Sequence, residues 1–310
     1  MAANNSIIDD IKQEFRFGDI VNKLIILNVG IYFITILVFI AFRFSSGDLD
    51  NSTFYKIFHW FSLPANPIQL LKQPWSLFSH MFLHSPTSFF HLLFNMISLY
   101  IFGRILLIFL KTRQFLSIYF LGGIAGAFLF IILTSLIPML GSNGYAVGAS
   151  AAIMSVVLAA ATLSPDYSIR LIFLGNVKIK WIALAFICFD IMGLAGSSNL
   201  GGHIAHLGGA IFGILFITQL RKGNDWSIGP NRMVENIGSR LSRNKKPTVA
   251  YVNEEKLQKT NSSVKAKSSF IDEDSTQQKI DAILDKISEK GYDSLSKKEK
   301  EFLFKYSKDE

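Results

Sequence analysis

Six blocks of apolar residues run along the first 220 positions, at 24–42, 91–110, 115–137, about 148–163, 179–195 and 203–220, with short polar breaks between them. A bilayer core is crossed by roughly 20 residues of apolar helix, so each block predicts a membrane-spanning helix. The fourth is the shortest and the richest in Ala, and Gly141, Gly144 and Gly148 punctuate the loop before it. Residues 44–90 fit neither pattern. They hold Trp60, Phe61, Pro64, Pro67, Pro74 and Trp75, too aromatic for a solvated loop and too broken for a span. Such a segment is expected to lie in the membrane interface, where Trp and Tyr prefer to sit.

Basic residues orient the six predicted spans. Lys12, Arg16 and Lys23 precede the first, Lys111 and Arg113 separate the second from the third, Arg170, Lys178 and Lys180 separate the fourth from the fifth, and Arg221 and Lys222 follow the sixth. The opposite loops, 138–148 and 196–202, carry no basic residue, and 44–90 carries Lys56 and Lys72. The positive-inside rule then puts both termini in the cytoplasm. Residues 1–23 are polar and of mixed charge, with no cleavable signal evident, so the first apolar block reads as the first span. A bacterial cytoplasmic membrane is the expected location.

Composition agrees. Half of the 310 residues are hydrophobic and the mean hydropathy is +0.35, which a water-soluble domain of this length rarely reaches. The lone Cys188, inside an apolar block, excludes an intramolecular disulfide framework and reads as a buried small hydrophobe. The formal charge of +8 is accounted for by cytoplasmic flanks and the C-terminal tail, and calls for no nucleic-acid partner.

Polar groups inside spans are costly and mark function by default. In this topology the second, fourth and sixth spans all start at the outer face. The second begins with His91 and Asn95, the fourth with Gly148-Ala-Ser150-Ala, and the sixth with His203-Ile-Ala-His206. A hydroxyl, imidazoles and an amide therefore share one depth. Acyl transfer needs those parts: a base to take the proton of a weak Ser nucleophile, an imidazole that titrates near neutrality, and donors aimed at an oxyanion. Each group also has a plainer reading. Gly148 to Ala152, and Gly209 with Gly213, make a small-residue seam for helix packing. His91 alone reads as a satisfied interfacial histidine. Asp190 in the fifth span is either a third member of the site or a residue hydrogen-bonded to a neighbouring helix. His80 and His84 have metal-like spacing but no H-E-x-x-H or carboxylate partner, so neither a metal nor any other cofactor is expected.

These residues resemble the rhomboid family of intramembrane serine proteases. His91-Leu-Leu-Phe-Asn95 matches its H-x-x-x-N, Gly148-Ala-Ser150-Ala its G-x-S-x, and Ala205-His206-Leu-Gly-Gly209 with Gly213 its A-H-x-x-G-x-x-x-G. The likeness covers roughly residues 20–220. It implies an all-α, six-transmembrane-helix bundle over 24–221. Ser150 would be the nucleophile and His206 the base, in a dyad that requires no carboxylate. His91, Asn95 and the Ser150 backbone N–H would form the oxyanion hole, with Gly148, Gly209 and Gly213 packing the helices around the site. Substrates would be transmembrane proteins whose helices enter sideways from the bilayer near the fifth helix. Ser76, Ala151 and Met154 stand where the family commonly has Arg, Gly and an aromatic.

Beyond Arg221 the composition shifts. Residues 222–270 are rich in Lys, Asn and Ser and read as a flexible linker. In 271–310, Ile280, Ile283, Leu284 and Ile287 recur at helical spacing, Gly291 suits a C-cap, and Ser296-Lys-Lys-Glu299 reads as a capping box before Phe302, Leu303 and Tyr306. A small helical hairpin is expected there, either docking on a protein partner or the membrane, or inert. Two other functions fit a multi-span chain less well. A catalytically inactive relative that binds membrane helices usually lacks the Ser or the His. A small transporter shows broken helices and midplane charges in inverted repeats.

Overall fold

The structure is a computed structural model. It describes residues 7–45, 51–137, 140, 144–171, 175–196, 199–230 and 232, with a few positions between 282 and 302. It divides into two units, 1–244 and 245–310, each described by itself.

The first unit holds, in chain order, α1 (Ile7–Phe17), α2 (Ile20–Ser45), α3 (Ser52–Phe61), β1 (Leu63–Pro64), α4 (Pro67–Lys72), α5 (Ser76–Ser79), α6 (Phe89–Phe109), α7 (Thr112–Leu136), β2 (Tyr145–Ala146), α8 (Ser150–Leu163), β3 (Ser168–Leu171), β4 (Gly175–Lys178), α9 (Ile179–Ala195) and α10 (Leu200–Arg221). All six apolar blocks are helical. Among the described residues, four helices, α2, α6, α7 and α10, are long and apolar enough to cross a membrane. α2, α6 and α9 expose large apolar side chains such as Phe33, Leu37, Phe94 and Phe189, more apolar surface than water tolerates. The protein is an integral, multi-pass membrane protein.

The shortest block behaves differently from the expectation of a full span. α8 has 14 residues, about 21 Å of helix at 1.5 Å per residue, against a core of about 30 Å. Ala151 through Ala161 are all buried, because α6, α7, α9 and α10 pack around it. A helix walled by protein can be short, since the irregular backbone before it is satisfied by protein instead of meeting lipid. That backbone is anchored: β2 pairs antiparallel with β1, Leu63 opposite Ala146, Ala65 N–H donates to the Gly144 carbonyl at 2.9 Å, and Gly148 N–H to the His80 carbonyl at 2.9 Å.

Small residues let α8 and α10 touch. A Cβ on Gly209 would strike the Ala151 carbonyl, and one on Gly213 the Ser155 carbonyl. Side chains on the two helices would otherwise hold their axes apart. At the far end of α8, Arg221 Nη2 donates to the carbonyls of Thr162 (2.8 Å) and Leu163 (3.0 Å), supplying partners to a helix end that has none of its own.

Residues 51–88 lie as short helices with exposed Trp60, Ile68, Leu71 and Phe78, and they brace the strand before α8. His59 stacks on Tyr145 with ring centroids 4.0 Å apart, and Trp75 Nε1 donates to the Trp60 carbonyl at 2.9 Å.

Several expectations need correction. The polar stretch 1–23 contains helix α1 and the first turn of α2, which starts at Ile20. The fold is not purely helical: besides β1–β2, the basic loop after α8 is a hairpin, β3–β4. Its base is tied by Asp166, which accepts from Lys178 Nζ (3.0 Å) and Lys180 Nζ (2.8 Å). Those bonds hold its carboxyl down at about 2. Cys188 is exposed on α9, not buried. Most of the expected linker, together with residues 138, 139 and 141–143 of one loop and 197–198 of the other, lies outside the described residues.

In the second unit, Ser296 N–H donates to Glu299 Oε2 at 2.7 Å and Glu299 N–H to Ser296 Oγ at 3.4 Å, the reciprocal pair of a capping box. Lys286 Nζ donates to both oxygens of Glu299. Ile283 and Leu295 are buried. Ile280, Leu284, Ile287, Gly291, Leu303 and Tyr306 lie outside the described residues.

Candidate active site

Ser150 opens α8. The chain reaches it through Gly148 at φ 127°, a conformation that residues with a Cβ rarely adopt. A Cβ there would also press on the His91 ring, 3.1 Å from Cε1 and 3.3 Å from Nε2, and would lie 3.4 Å from Ser150 Oγ. Gly148 was expected to pack helices around the site; its missing side chain serves the approach of the His91 ring on α6. It turns the backbone and makes room for His91 beside the serine. As the first helical residue, Ser150 has a backbone N–H with no intrahelical partner.

His206 projects from α10, where Gly209 one turn on brings that helix against α8. Its Nε2 lies 2.7 Å from Ser150 Oγ, although the residues are 56 apart in sequence. Its Nδ1 lies 2.7 Å from Asp190 Oδ1 on α9. Asp190 is one of three buried residues on that helix, the others being half-buried or exposed. In the tautomer whose Nδ1–H donates to Asp190 Oδ1, Nε2 is left to accept from the Ser150 hydroxyl. Asp190 Oδ1 also takes His203 Nδ1 at 2.8 Å.

Of the expected oxyanion donors, His91 sits beside Gly148. Asn95, buried one turn further along α6, has its Nδ2 donating to His84 Nε2 at 3.0 Å. The His84 and His91 rings meet edge-on, centroids 5.5 Å apart. His84 is fully buried. Burial, followed by the proximity of His91, pushes its imidazole down to about 4. His80, buried with Nδ1 bonded to the Ser76 carbonyl at 2.7 Å, is likewise pushed to about 4 by burial.

Residues 71–223 match the family model of the rhomboid domain. The chain belongs to the rhomboid family. Residues 272–309 of this rhomboid match a separate family of unknown function, DUF6576. Among curated proteins, the presenilin-associated rhomboid-like protein A, mitochondrial, of Danio rerio is 31% identical over 158 residues, 50% of this chain and 39% of its own length. The presenilin-associated rhomboid-like protein, mitochondrial, of Homo sapiens is 31% identical over 196 residues, 61% of this chain and 47% of its own. Rhomboid protein 1, mitochondrial, of Saccharomyces cerevisiae is 32% identical over 142 residues, 46% and 39%. The rhomboid chain thus spans less than half the length of these curated relatives. No solved structure matches it. The relatives' names sit against the bacterial cytoplasmic membrane expected from the sequence.

The role of Asp190 was left open by the sequence, and the structure joins its two readings: it bonds to a neighbouring helix, and what it bonds there is His206. The signal was an acid inside an apolar block. In the sequence, His84 carries only a metal-like spacing from His80. Its burial and its bond to Asn95 had no local sequence signal.

Proposed function

We propose that this rhomboid is an intramembrane serine endopeptidase that cleaves transmembrane proteins in or near their membrane helices. The observation that carries the reading is the line from Ser150 Oγ through His206 to Asp190, two bonds of 2.7 Å across three helices. In this reading Ser150 Oγ attacks the scissile carbonyl while His206 Nε2 takes its proton, then returns it to the leaving amine. Asp190 holds the Nδ1–H tautomer and stabilises the imidazolium that forms. His91, Asn95 and the Ser150 N–H stabilise the oxyanion, each such donor contributing on the order of 100-fold or more in rate.

Six spans, α2, α6, α7, α8, α9 and α10, are part of the proposal, with both termini on the side that carries the basic loops. The domain plan is a membrane protease domain over 24–221, a linker over 222–270 and a C-terminal helical segment over 271–310, open to a protein partner. Entry of the substrate helix beside α9 is supported by how little of that helix is buried. The test uses the full chain in liposomes with a panel of single-span substrates. Cleavage by the natural chain, abolished in folded Ser150→Ala and His206→Ala, is the expected result. Cleavage by Ser150→Ala would overturn the assignment, and a folded natural chain that binds the helices but cuts none would make it an inactive helix-binding rhomboid.

A further inference from the structure

Asp190, His203 and His206 form a donor set larger than proton transfer needs. His206 alone bonds to Ser150, yet Asp190 Oδ1 receives two imidazole nitrogens, at 2.7 and 2.8 Å. The two histidines are three residues apart on one face of α10, and the three ligating atoms lie within 4.8 Å of one another. His203 is held there by shape: its ring lies over Gly193, one turn past Asp190 on α9, where any Cβ would collide with it. Asp190 is buried, while the imidazoles of His203 and His206 are 23% and 18% exposed, so the cluster has a protected floor and an open top near the first turn of α10.

Two imidazole nitrogens and one carboxylate oxygen are the three protein ligands of many zinc sites, with water in the fourth position. Mg²⁺ and Ca²⁺ prefer all-oxygen shells. Ligand bonds of about 2.0–2.1 Å to a tetrahedral ion separate the donors by about 3.3 Å, so the carboxylate oxygen needs to part from each imidazole nitrogen, now at 2.7 and 2.8 Å, by only about half an ångström. We propose that Asp190, His203 and His206 form an inhibitory site for a divalent transition-metal ion such as Zn²⁺. The ion takes Nδ1 of both rings and Oδ1 of the carboxylate. On each ring one proton moves from Nδ1 to Nε2; the rings stay neutral and no proton is released. His206 Nε2 then carries a hydrogen and cannot accept the Ser150 proton, so the ion silences the base without touching the nucleophile. The consequence for cleavage rests on the proposed protease reading; the binding does not.

The experiment has two arms. Zn²⁺ is titrated into the full chain in liposomes during substrate cleavage, with Mg²⁺ as the comparison, and His203→Gln is treated the same way, each protein normalised to its own metal-free rate. Inhibition by Zn²⁺, recovery with a chelator, no effect of Mg²⁺, and about 10-fold or more Zn²⁺ needed by His203→Gln are expected; should that variant fold poorly, His203→Ala replaces it. Equal sensitivity of natural and variant protein overturns the proposal. In the second arm Co²⁺ is added to folded Ser150→Ala protein, which keeps all three ligands, and visible absorption reports a tetrahedral site. Bands that disappear on adding His203→Gln are expected, and absence of bands overturns the proposal. If the natural chain cleaves nothing in metal-free buffer, the protease reading falls while the Co²⁺ arm still decides the metal site.

Discussion

Gly209 of α10 lies against the carbonyl of Ala151 on α8 with no room for a Cβ between them. Ala151 follows Ser150 directly and Gly209 stands one turn from His206, so this contact sets how near nucleophile and base can come. The packing seam and the candidate catalytic pair are one feature.

Gly209→Ala is therefore expected to part the two helices and stretch the 2.7 Å bond between Ser150 and His206. Misplacement by about 1 Å costs roughly 100-fold in rate, so cleavage should fall by about that factor, with a lower melting temperature in detergent. Gly30, which has open space where a Cβ would be, should accept Ala with neither effect. Full activity in Gly209→Ala would mean that the close approach does not position the pair.

Asp190→Asn keeps the side-chain shape but removes the charge facing His206 Nδ1 and His203 Nδ1. If Asp190 orients the base, kcat should drop by at least roughly 100-fold, with little change in KM. A loss confined to melting temperature would assign Asp190 to pinning α9 on α10 and leave a two-residue mechanism.

Removing the imidazole at His84 unties the Asn95 amide. His84→Ala leaves Asn95 Nδ2 buried without its partner, a cost of about 1–3 kcal/mol in stability. A freely turning amide is also a poor oxyanion donor, so kcat should fall further than the melting shift explains. Asn95→Ala sets the floor, at roughly 100- to 1000-fold. Steady-state kinetics on the folded fraction of both variants tests the pairing, and a His84→Ala that cuts as fast as the natural chain rules it out.

Acid should unfold the segment before α6. Burial holds His80 and His84 at about 4 in the folded protein, while an unfolded histidine titrates near 6.5. Between those values the unfolded chain takes up a proton at each position that the folded chain refuses. Stability is therefore complete above about pH 6.5 and is lost as pH falls towards 4, by on the order of 3 kcal/mol per ring. Melting temperatures from about pH 7.5 to about 4.5 should trace that loss, and His80→Gln should flatten the slope. An unchanged slope would show that His80 is not the group responsible.

Much of this rhomboid is legible along the chain. Apolar blocks long enough to cross a bilayer locate the helices, because in lipid every backbone group must be satisfied within its own segment. The same rule makes Asn95, Ser150, Asp190 and His206 conspicuous, since a polar group inside such a block needs a reason. Residues 148–163 read as the shortest block, with an ambiguous start; α8 begins at Ser150, its neighbours shield it, and the strand pair and turn before it carry the chain to Ser150. Helix α1 was missed because its polar and apolar residues mix within a short stretch.

By itself, the sequence determined where the six apolar helices run and which polar residues stand near the ends of helices α6, α8 and α10. Those properties depend on neighbours a few residues away and on the solvent. Only the tertiary structure decided that Ser150 meets His206, that His206 and His203 share one oxygen of Asp190, and that His84 bonds to Asn95. Such contacts join residues up to 56 positions apart, and they depend on how closely glycine-lined helices approach, a distance set by packing between segments and by no periodicity within one.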